Sequence, residues 1–543
     1  MAPNLKDYAG LWVALTEQET VGGVGHSASG AFHAARIAWP KERLRILFVS
    51  EHAPHVSLPA WPIQPLQELA FEDTLWLVGG AVRDLLLGLE PDDWDFTVTG
   101  DALRLARNVA NHMRGDFYVL DAERGTGRAI GTPPYRRQPV HLDFARIRGD
   151  SIEEDLYARD FTINAIAMTI DGRMLDPTGG IEDLKHGRLS MVRSDALSND
   201  PIRLLRAVRL SHQFDLTIAK ETKEAMDELA PAITSVAAER VQAELIKLFR
   251  APDPDRALGS LKDHELLPHL FPEVADLSSA RWLDTRALLQ TLDWLTMLLR
   301  ERNAPLPLSR SEGRSDIQPW VGSDLRRFIG DLLSQWIDYL NEEINQGLSR
   351  DHLLRWAALF HAVHTDPHTV EKRQSGSAAA VAFRCRQLRL PNDAVDLIKR
   401  VVANPLTLED LVGMVESRRT IYHYFQRTDE HGLAILWFTL AHSLACTDPH
   451  LDRGQWHRVL GSVRTLLKAY FRYYDAVVAP VPLLDGYDLI QLGLEPGPQL
   501  GAALGWLVEA QAAGEVQDRE QAVDAITRKF VHSAVPGTDG ETS

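Results

Sequence analysis

The chain has 543 residues, a formal net charge of −17 and a hydrophobic share of 45%, enough for several domains with sizeable cores. The negative balance excludes a protein coated in positive charge for general nucleic-acid binding, so any RNA contact must use local basic patches. Two cysteines, Cys385 and Cys446, are too few for a disulfide framework, no apolar run is long enough to span a membrane, and MAPNLKDYAGLWVAL lacks a basic stretch leading into an apolar core; a reducing cytoplasm is expected.

Residues 1–55 read as a small ββαβ module. LWVALTEQETVGGVG gives two strands around a turn, Ser27 to Ala38 a short helix, and Leu44 to Ser50 a third strand. No chemistry is evident there, and a recruitment or RNA-contact module and a stabilising appendage are both open. His52 to Pro65, with four prolines, reads as a linker.

Residues 66–185 alternate strand and helix patterns and predict a mixed-sheet α/β domain. Its organising stretch is Leu75 to Val98, LWLVGGAVRDLLLGLEPDDWDFTV. A buried strand meets Gly79-Gly80, a helix carries Arg83 and Asp84, and a second strand begins at Asp93. Residues two apart on a strand face the same way, so Asp93 and Asp95 project together. Two carboxylates so placed repel unless a cation lies between them, which predicts a Mg2+ site. It faces a Gly-Gly turn at a helix N-terminus, a phosphate cradle. Asp101 to Met113 follows as a helix, Phe117 to Leu120 and Val140 to Phe144 as strands, then Ile163 to Ile170 and Met174-Leu175. Asp143, in mid-strand, is either a third carboxylate serving metal or base chemistry or an outward-facing strand residue. In Arg159-Asp160-Phe161-Thr162-Ile163-Asn164, Arg159 can neutralise a triphosphate, Asp160 can orient it and Asn164 can meet a sugar hydroxyl; a plain surface Arg-Asp cap fits the same residues.

From about residue 186 the pattern is helical throughout. Asn199-Asp200-Pro201 opens a helix with Pro201 at the first helical position. Arg203, Arg206 and Arg209 share one face, and Leu204, Leu205 and Val208 the other. Asp200 and Arg203 can match the hydrogen-bonding edge of a base, with Arg206 and Arg209 on phosphates. Asp200 can equally be an N-cap. Residues 302–323 read as a flexible insertion, and Pro536 to Ser543 as a disordered end.

Together, GGAVRDLLLG…DWD, RDFTINAIA, DPTGGIEDL and DPIRLLRAVRL resemble the class II tRNA nucleotidyltransferase family, which includes CCA-adding enzymes and bacterial poly(A) polymerases. The match covers about residues 72–250, with a weaker likeness at Leu483 to Gly501. Beyond the N-terminal module (1–55), which falls outside the match, the resemblance implies an α+β architecture: a nucleotidyltransferase-type catalytic domain (66–185), a helical neck (186–255), a helical body (256–480) and a helical tail (481–535). It implies transfer of C and/or A from CTP or ATP to the 3′ end of tRNA, with pyrophosphate released. Asp93 and Asp95 would hold Mg2+, with Asp143 as a further catalytic carboxylate. Gly79, Gly80, Arg83, Arg159, Asp160 and Asn164 would serve the nucleotide, Asp200 and Arg203 would read its base, and Arg206 and Arg209 would support that pocket. The tRNA acceptor arm would lie along the helical half, on patches such as Lys185 and Arg188. No membrane and no obligate protein partner are implied.

The sequence departs from the family pattern in three places. Asn199 stands where an acidic residue is common, and Ala158 replaces the first arginine of the usual Arg-Arg-Asp. The stretch FARIRGDSIEEDLYA between Asp143 and Arg159 is short, whereas full CCA-adding members tend to carry a longer flexible loop linked to the switch from C to A; its brevity resembles CC-adding relatives. Poly(A) polymerase is the alternative with the same site. In the helical body, LLRWAALFHAVHTDP resembles the start of an HD phosphohydrolase helix, but Ala362 follows His361 where Asp is expected, and Asn404 stands about where a ligand His might be. A metal site from His361 and His364 is conceivable; an HD-like body without metal is the preferred reading, which argues against a phosphohydrolase. The intact Gly-Gly and Asp-x-Asp argue against a non-enzymatic RNA binder.

Overall fold

The computed structural model describes residues 11–16, 20–25, 34–35, 39, 44–49, 66, 69, 74–132, 139–170, 172–300, 317–318, 320–345, 347–363, 370–404, 406–446 and 451–532. Its contacts define two units, Met1–Leu248 with Gly259–Leu270, and Phe249–Leu258 with Phe271–Ser543.

In the first unit, β1 (Leu11–Thr16), β2 (Val21–Gly25) and β3 (Leu44–Val49) form an antiparallel sheet in the order β2-β1-β3. Of the expected helix Ser27 to Ala38, residues 34–35 are helical; the remainder and the linker prolines lie outside the described residues.

A seven-stranded mixed sheet follows. Its strands are β4 (Leu75–Val78), β5 (Asp93–Val98), β6 (Asp116–Asp121), β7 (Thr126–Gly131), β8 (Val140–Arg146), β9 (Ala167–Thr169) and β10 (Met174–Leu175), in the order β10-β9-β4-β5-β8-β7-β6. Only β5 and β8 pair in parallel; the remaining neighbours are antiparallel. Helix α1 (Gly80–Leu86) connects β4 to β5, and α2 (Ala102–Met113) covers the sheet. Asp101 caps α2 by accepting from the Arg104 N–H.

On β5, Trp94 and Phe96 turn into the core while Asp93 and Asp95 take the other face. Phe96 stacks on Phe144 of β8, centroids 5.1 Å apart. Burying such side chains stabilises by about 1.5–3 kcal/mol each, so apolar packing holds the carboxylate face in place.

Two sequence expectations are corrected here. Ile163 to Ile170 is not one strand: Thr162–Asn164 is a 3-10 turn and only Ala167–Thr169 is β. The turn lets the buried Thr162 and Asn164 side chains reach polar partners that strand geometry would deny them. Strand β7 was not anticipated. Its Gly127 approaches α2 so closely that a Cβ would lie 3.1 Å from Ala106, so glycine here serves helix-sheet packing rather than a turn.

The second unit is mainly helical. Trp336, Trp356, Trp437 and Trp456 are fully buried, and Phe249, Phe271 and Phe360 form edge-to-face contacts around Trp356 and one another. The expected insertion at 302–323 is corrected at its end: Trp320 opens a helix, Trp320–Ile329. Val321 and Leu325 are buried there, and Asp324 accepts from Arg453 at 2.7 and 2.8 Å and pairs with His457 at 2.8 Å. These contacts anchor a segment whose neighbouring prolines suggested a loop. Pro536 to Ser543 lies outside the described residues. Among the described residues no helix is long and apolar enough to cross a membrane.

Candidate active site

Parallel pairing of β5 with β8 sets Asp95 directly beside Asp143, and Asp93 beside His141. Three carboxylates therefore share one patch of the sheet. Asp93 is exposed and accepts from, or is contacted by, His141 Nδ1 at 3.2 Å. Asp95 is half-buried, and burial pushes its carboxyl up to about 6; Arg159 opposes the shift, while Asp143 and Asp93 add to it. Asp143 does not face outward alone: Arg128 on β7 grips it with Nε and Nη2, both at 2.7 Å.

The Gly-Gly turn lies against the same patch. Gly79 has φ +73°, and a Cβ there would stand 2.6 Å from Arg159 Nη1 and 3.8 Å from Asp95 Oδ2. Arg159 thus sits between the turn and the carboxylates. Asp155 in α3 (Ile152–Tyr157) holds it, accepting from Nε at 3.3 Å and Nη2 at 3.1 Å. Asp155, and not Asp160 as the sequence suggested, orients Arg159. Chain geometry explains the exchange: Asp155 lies one helical turn before Arg159, while the chain at Asp160 turns inward.

Asp160 instead belongs to a buried polar chain. It accepts from Arg206 Nε at 2.8 Å, from Asn164 Nδ2 at 3.1 Å and from the Phe161 N–H at 2.8 Å. Burial alone would raise its carboxyl, but Arg206, Asn164 and that N–H outweigh it and hold the group below the usual carboxylate range. Asn164 Oδ1 accepts from Arg83 Nη1 at 2.7 Å. Arg83 also donates to Asp84 and lies 4.2 Å over the Phe214 ring. At the far end Arg206 and Arg209 meet Glu244, the latter at 2.6 Å. The Asn164 and Arg83 side chains, expected to meet sugar and phosphate, are buried with their polar atoms engaged inside the protein.

The proposed base-reading pair is also arranged differently from expectation. Helix α4 is Ile202–Gln213, with Pro201 at its N-cap and no side-chain cap. Asp200 is therefore not an N-cap; its carboxylate takes Arg240 at 2.8 and 3.1 Å. Arg203 donates to the carbonyls of Ala158, Arg159 and Ala196 at 2.9–3.1 Å, bracing the backbone that carries Arg159. Lys185 and Arg188 pair locally with Glu182 and Asp183.

Asp93, Asp95, Asp143, Gly79 and Arg159 converge; Gly80 lies against Arg83, which with Asp160, Asn164, Arg206 and Arg209 forms the frame behind them. Sequence reasoning missed Arg128, Asp155, Glu244 and Arg240. The alternating TGRAIG of β7 was the one available signal for Arg128.

Comparison with known proteins bears on this arrangement. Residues 75–190 match the "Poly A polymerase head domain" and residues 215–277 the "Probable RNA and SrmB- binding site of polymerase A". An A-adding tRNA nucleotidyltransferase of Deinococcus radiodurans is 30% identical over 479 residues, covering 86% of this chain and 96% of the relative. The chain belongs to the tRNA nucleotidyltransferase family. A family member from Synechocystis, a CC-adding tRNA nucleotidyltransferase, is 29% identical over 82% of this chain and 91% of its own length. Among solved structures, one described as a CCA-adding enzyme with ATP aligns with TM-score 0.53 at 20% identity, covering 86% of this chain and 94% of that one, and shows a common fold. The family's architecture, a mixed-sheet head followed by helices, is the one described above.

Proposed function

We propose that this chain transfers nucleotides from CTP or ATP to the 3′ end of tRNA at the Asp93, Asp95 and Asp143 patch. The observation that carries the reading is the convergence of these three carboxylates with Gly79 and Arg159. A half-buried carboxylate with a raised pKa beside two others is a donor set suited to a cation, and oxygen donors suit Mg2+. Asp93 and Asp95 would hold the metal, which when bound supplies charge neutralisation at the α-phosphate and a more acidic attacking 3′-hydroxyl.

The chain's own residues do the rest. Gly79 leaves the backbone bare so that a phosphate can approach. Arg159, fixed by Asp155, offsets triphosphate charge as the bond from the 3′-oxygen to the α-phosphate forms and pyrophosphate leaves. Arg128 holds Asp143 in place with two hydrogen bonds. Arg206 and Arg209 act from behind, by holding Asp160 and Glu244. Asp200 reads the base, with Arg240 orienting its carboxylate, and Arg203 braces the backbone that carries Arg159.

The short connection of five residues between β8 and α3, 147–151, supports addition of C without A. Relatives of similar coverage include both CC-adding and A-adding enzymes, so the reading rests on the short connection. The test is extension of a tRNA lacking CCA with CTP, ATP or both. Two C residues and no A is the expected product; a full CCA end, A alone on a CC-ended tRNA, or a long A tail overturns the CC assignment. Asp200→Ala should relax discrimination between CTP and ATP more than it lowers total incorporation; unchanged discrimination with lower stability would reduce Asp200 to a partner of Arg240.

A further inference from the structure

The second unit holds a group of side chains that nucleotide transfer does not use. His361 closes the C-terminal end of helix Arg350–Phe360, and His442 and Cys446 lie one turn apart near the end of helix Gly432–Cys446. Positions four apart share one helical face, and that face meets His361: the two imidazole centroids are 5.2 Å apart. Each of the three residues offers a ligand atom, and those atoms lie within 4.8 Å of one another. A tetrahedral zinc ion, with bonds of about 2.0–2.3 Å, would draw them to roughly 3.3–3.7 Å, a closure of about an ångström.

The surroundings prepare the donors. His361 Nδ1 donates to the Ala358 carbonyl at 3.0 Å, which fixes the tautomer and leaves the lone pair on Nε2; zinc-binding histidines are commonly oriented in this way. Burial, with His442 adding, lowers the His361 pKa to about 4, and burial also lowers that of His442. The Cys446 thiol points at the Asp284 carbonyl at 3.7 Å, and the Asp284 carboxylate acts electrostatically on His442. The group thus has two imidazoles, one thiol and an adjacent carboxylate.

We propose that His361, His442 and Cys446 bind one Zn2+ ion, tying the ends of the two helices together. Two imidazole nitrogens and one sulfur suit a borderline-soft divalent ion rather than Mg2+ or Ca2+. On binding, the Cys446 thiol releases its proton to solvent and a zinc–sulfur bond forms. The site differs from the His361–His364 pair considered from sequence; His364 lies outside the described residues.

The test uses the full chain, stripped of metal under reducing conditions and titrated with Co2+. One equivalent should give a thiolate-to-cobalt charge-transfer band with the visible bands of a tetrahedral site, and Zn2+ should abolish both. The carboxylates around Asp95 contain no sulfur and cannot produce that band. Cys385, buried with its thiol pushed up to about 12, is no competitor. Cys446→Ser should remove the band, and His442→Ala should weaken Co2+ binding by more than about 100-fold. Independently of any variant, Zn2+ should slow alkylation of Cys446 by iodoacetamide at least about tenfold. No thiolate band, a band that survives Cys446→Ser, or equal alkylation with and without Zn2+ overturns the proposal.

Discussion

Asp95 sits half-buried between two other carboxylates, with its carboxyl pushed up to about 6, chiefly by burial. A group whose folded pKa exceeds its unfolded value adds stability only while protonated. That contribution is present below about pH 4, is lost as pH rises through about 6, and amounts to roughly 3 kcal/mol. Asp95→Asn removes the ionisation. Without divalent metal, urea unfolding should find the variant more stable than the parent near neutral pH and equal to it at about pH 4. A gap that does not change with pH would contradict the buried, cation-seeking state of this carboxylate. Gly79 gives a second test. An added Cβ meets Arg159 Nη1 at 2.6 Å on a backbone with φ +73°. Gly79→Ala should lower kcat by about 10²-fold or more with the fold intact by circular dichroism. At this scale the pair Asp93 and Asp95 and the bare turn were legible, because strand periodicity and glycine chemistry are local. Arg128 and Asp155 were not, since their roles depend on the β7–β8 register and on where α3 begins.

Between elements, the chain Arg83–Asn164–Asp160–Arg206–Glu244–Arg209 ties α1, the 3-10 turn, α4 and the helix Ala238–Arg250 into one frame. Removing one member of a buried charged pair leaves the other unsatisfied. Asp160→Ala should therefore cost about 3 kcal/mol in urea unfolding. Asp160→Asn, which keeps a hydrogen-bond acceptor for Arg206, should cost less. An Asp160→Ala variant of parental stability would show the network to be incidental. The arginine stripe of α4 was visible from its spacing, and its apolar opposite face is buried as expected. The partners of those arginines were not visible, because Asp160 and Glu244 lie 46 and 35 residues away in sequence. The strand expected over Ile163 to Ile170 failed for a related reason: its apolar pattern was real, but polar satisfaction of Thr162 and Asn164 bent its first part into a turn.

Across the whole molecule, the motifs of residues 72–250 identified the family, and relatives aligned over most of their length agree. The second unit was legible only as helical periodicity. Its buried tryptophans and the convergence of His361 with His442 and Cys446 depend on packing between distant helices. The measurement that tests nucleotide transfer at the Asp93–Asp95 patch most directly is incorporation of label from α-phosphate-labelled CTP into tRNA lacking CCA, comparing the parent with Asp95→Ala in Mg2+. The parent should label the tRNA 3′ end with release of pyrophosphate, and the folded variant should be slower by on the order of 10³-fold or more. Near-parental labelling by folded Asp95→Ala would contradict the assignment.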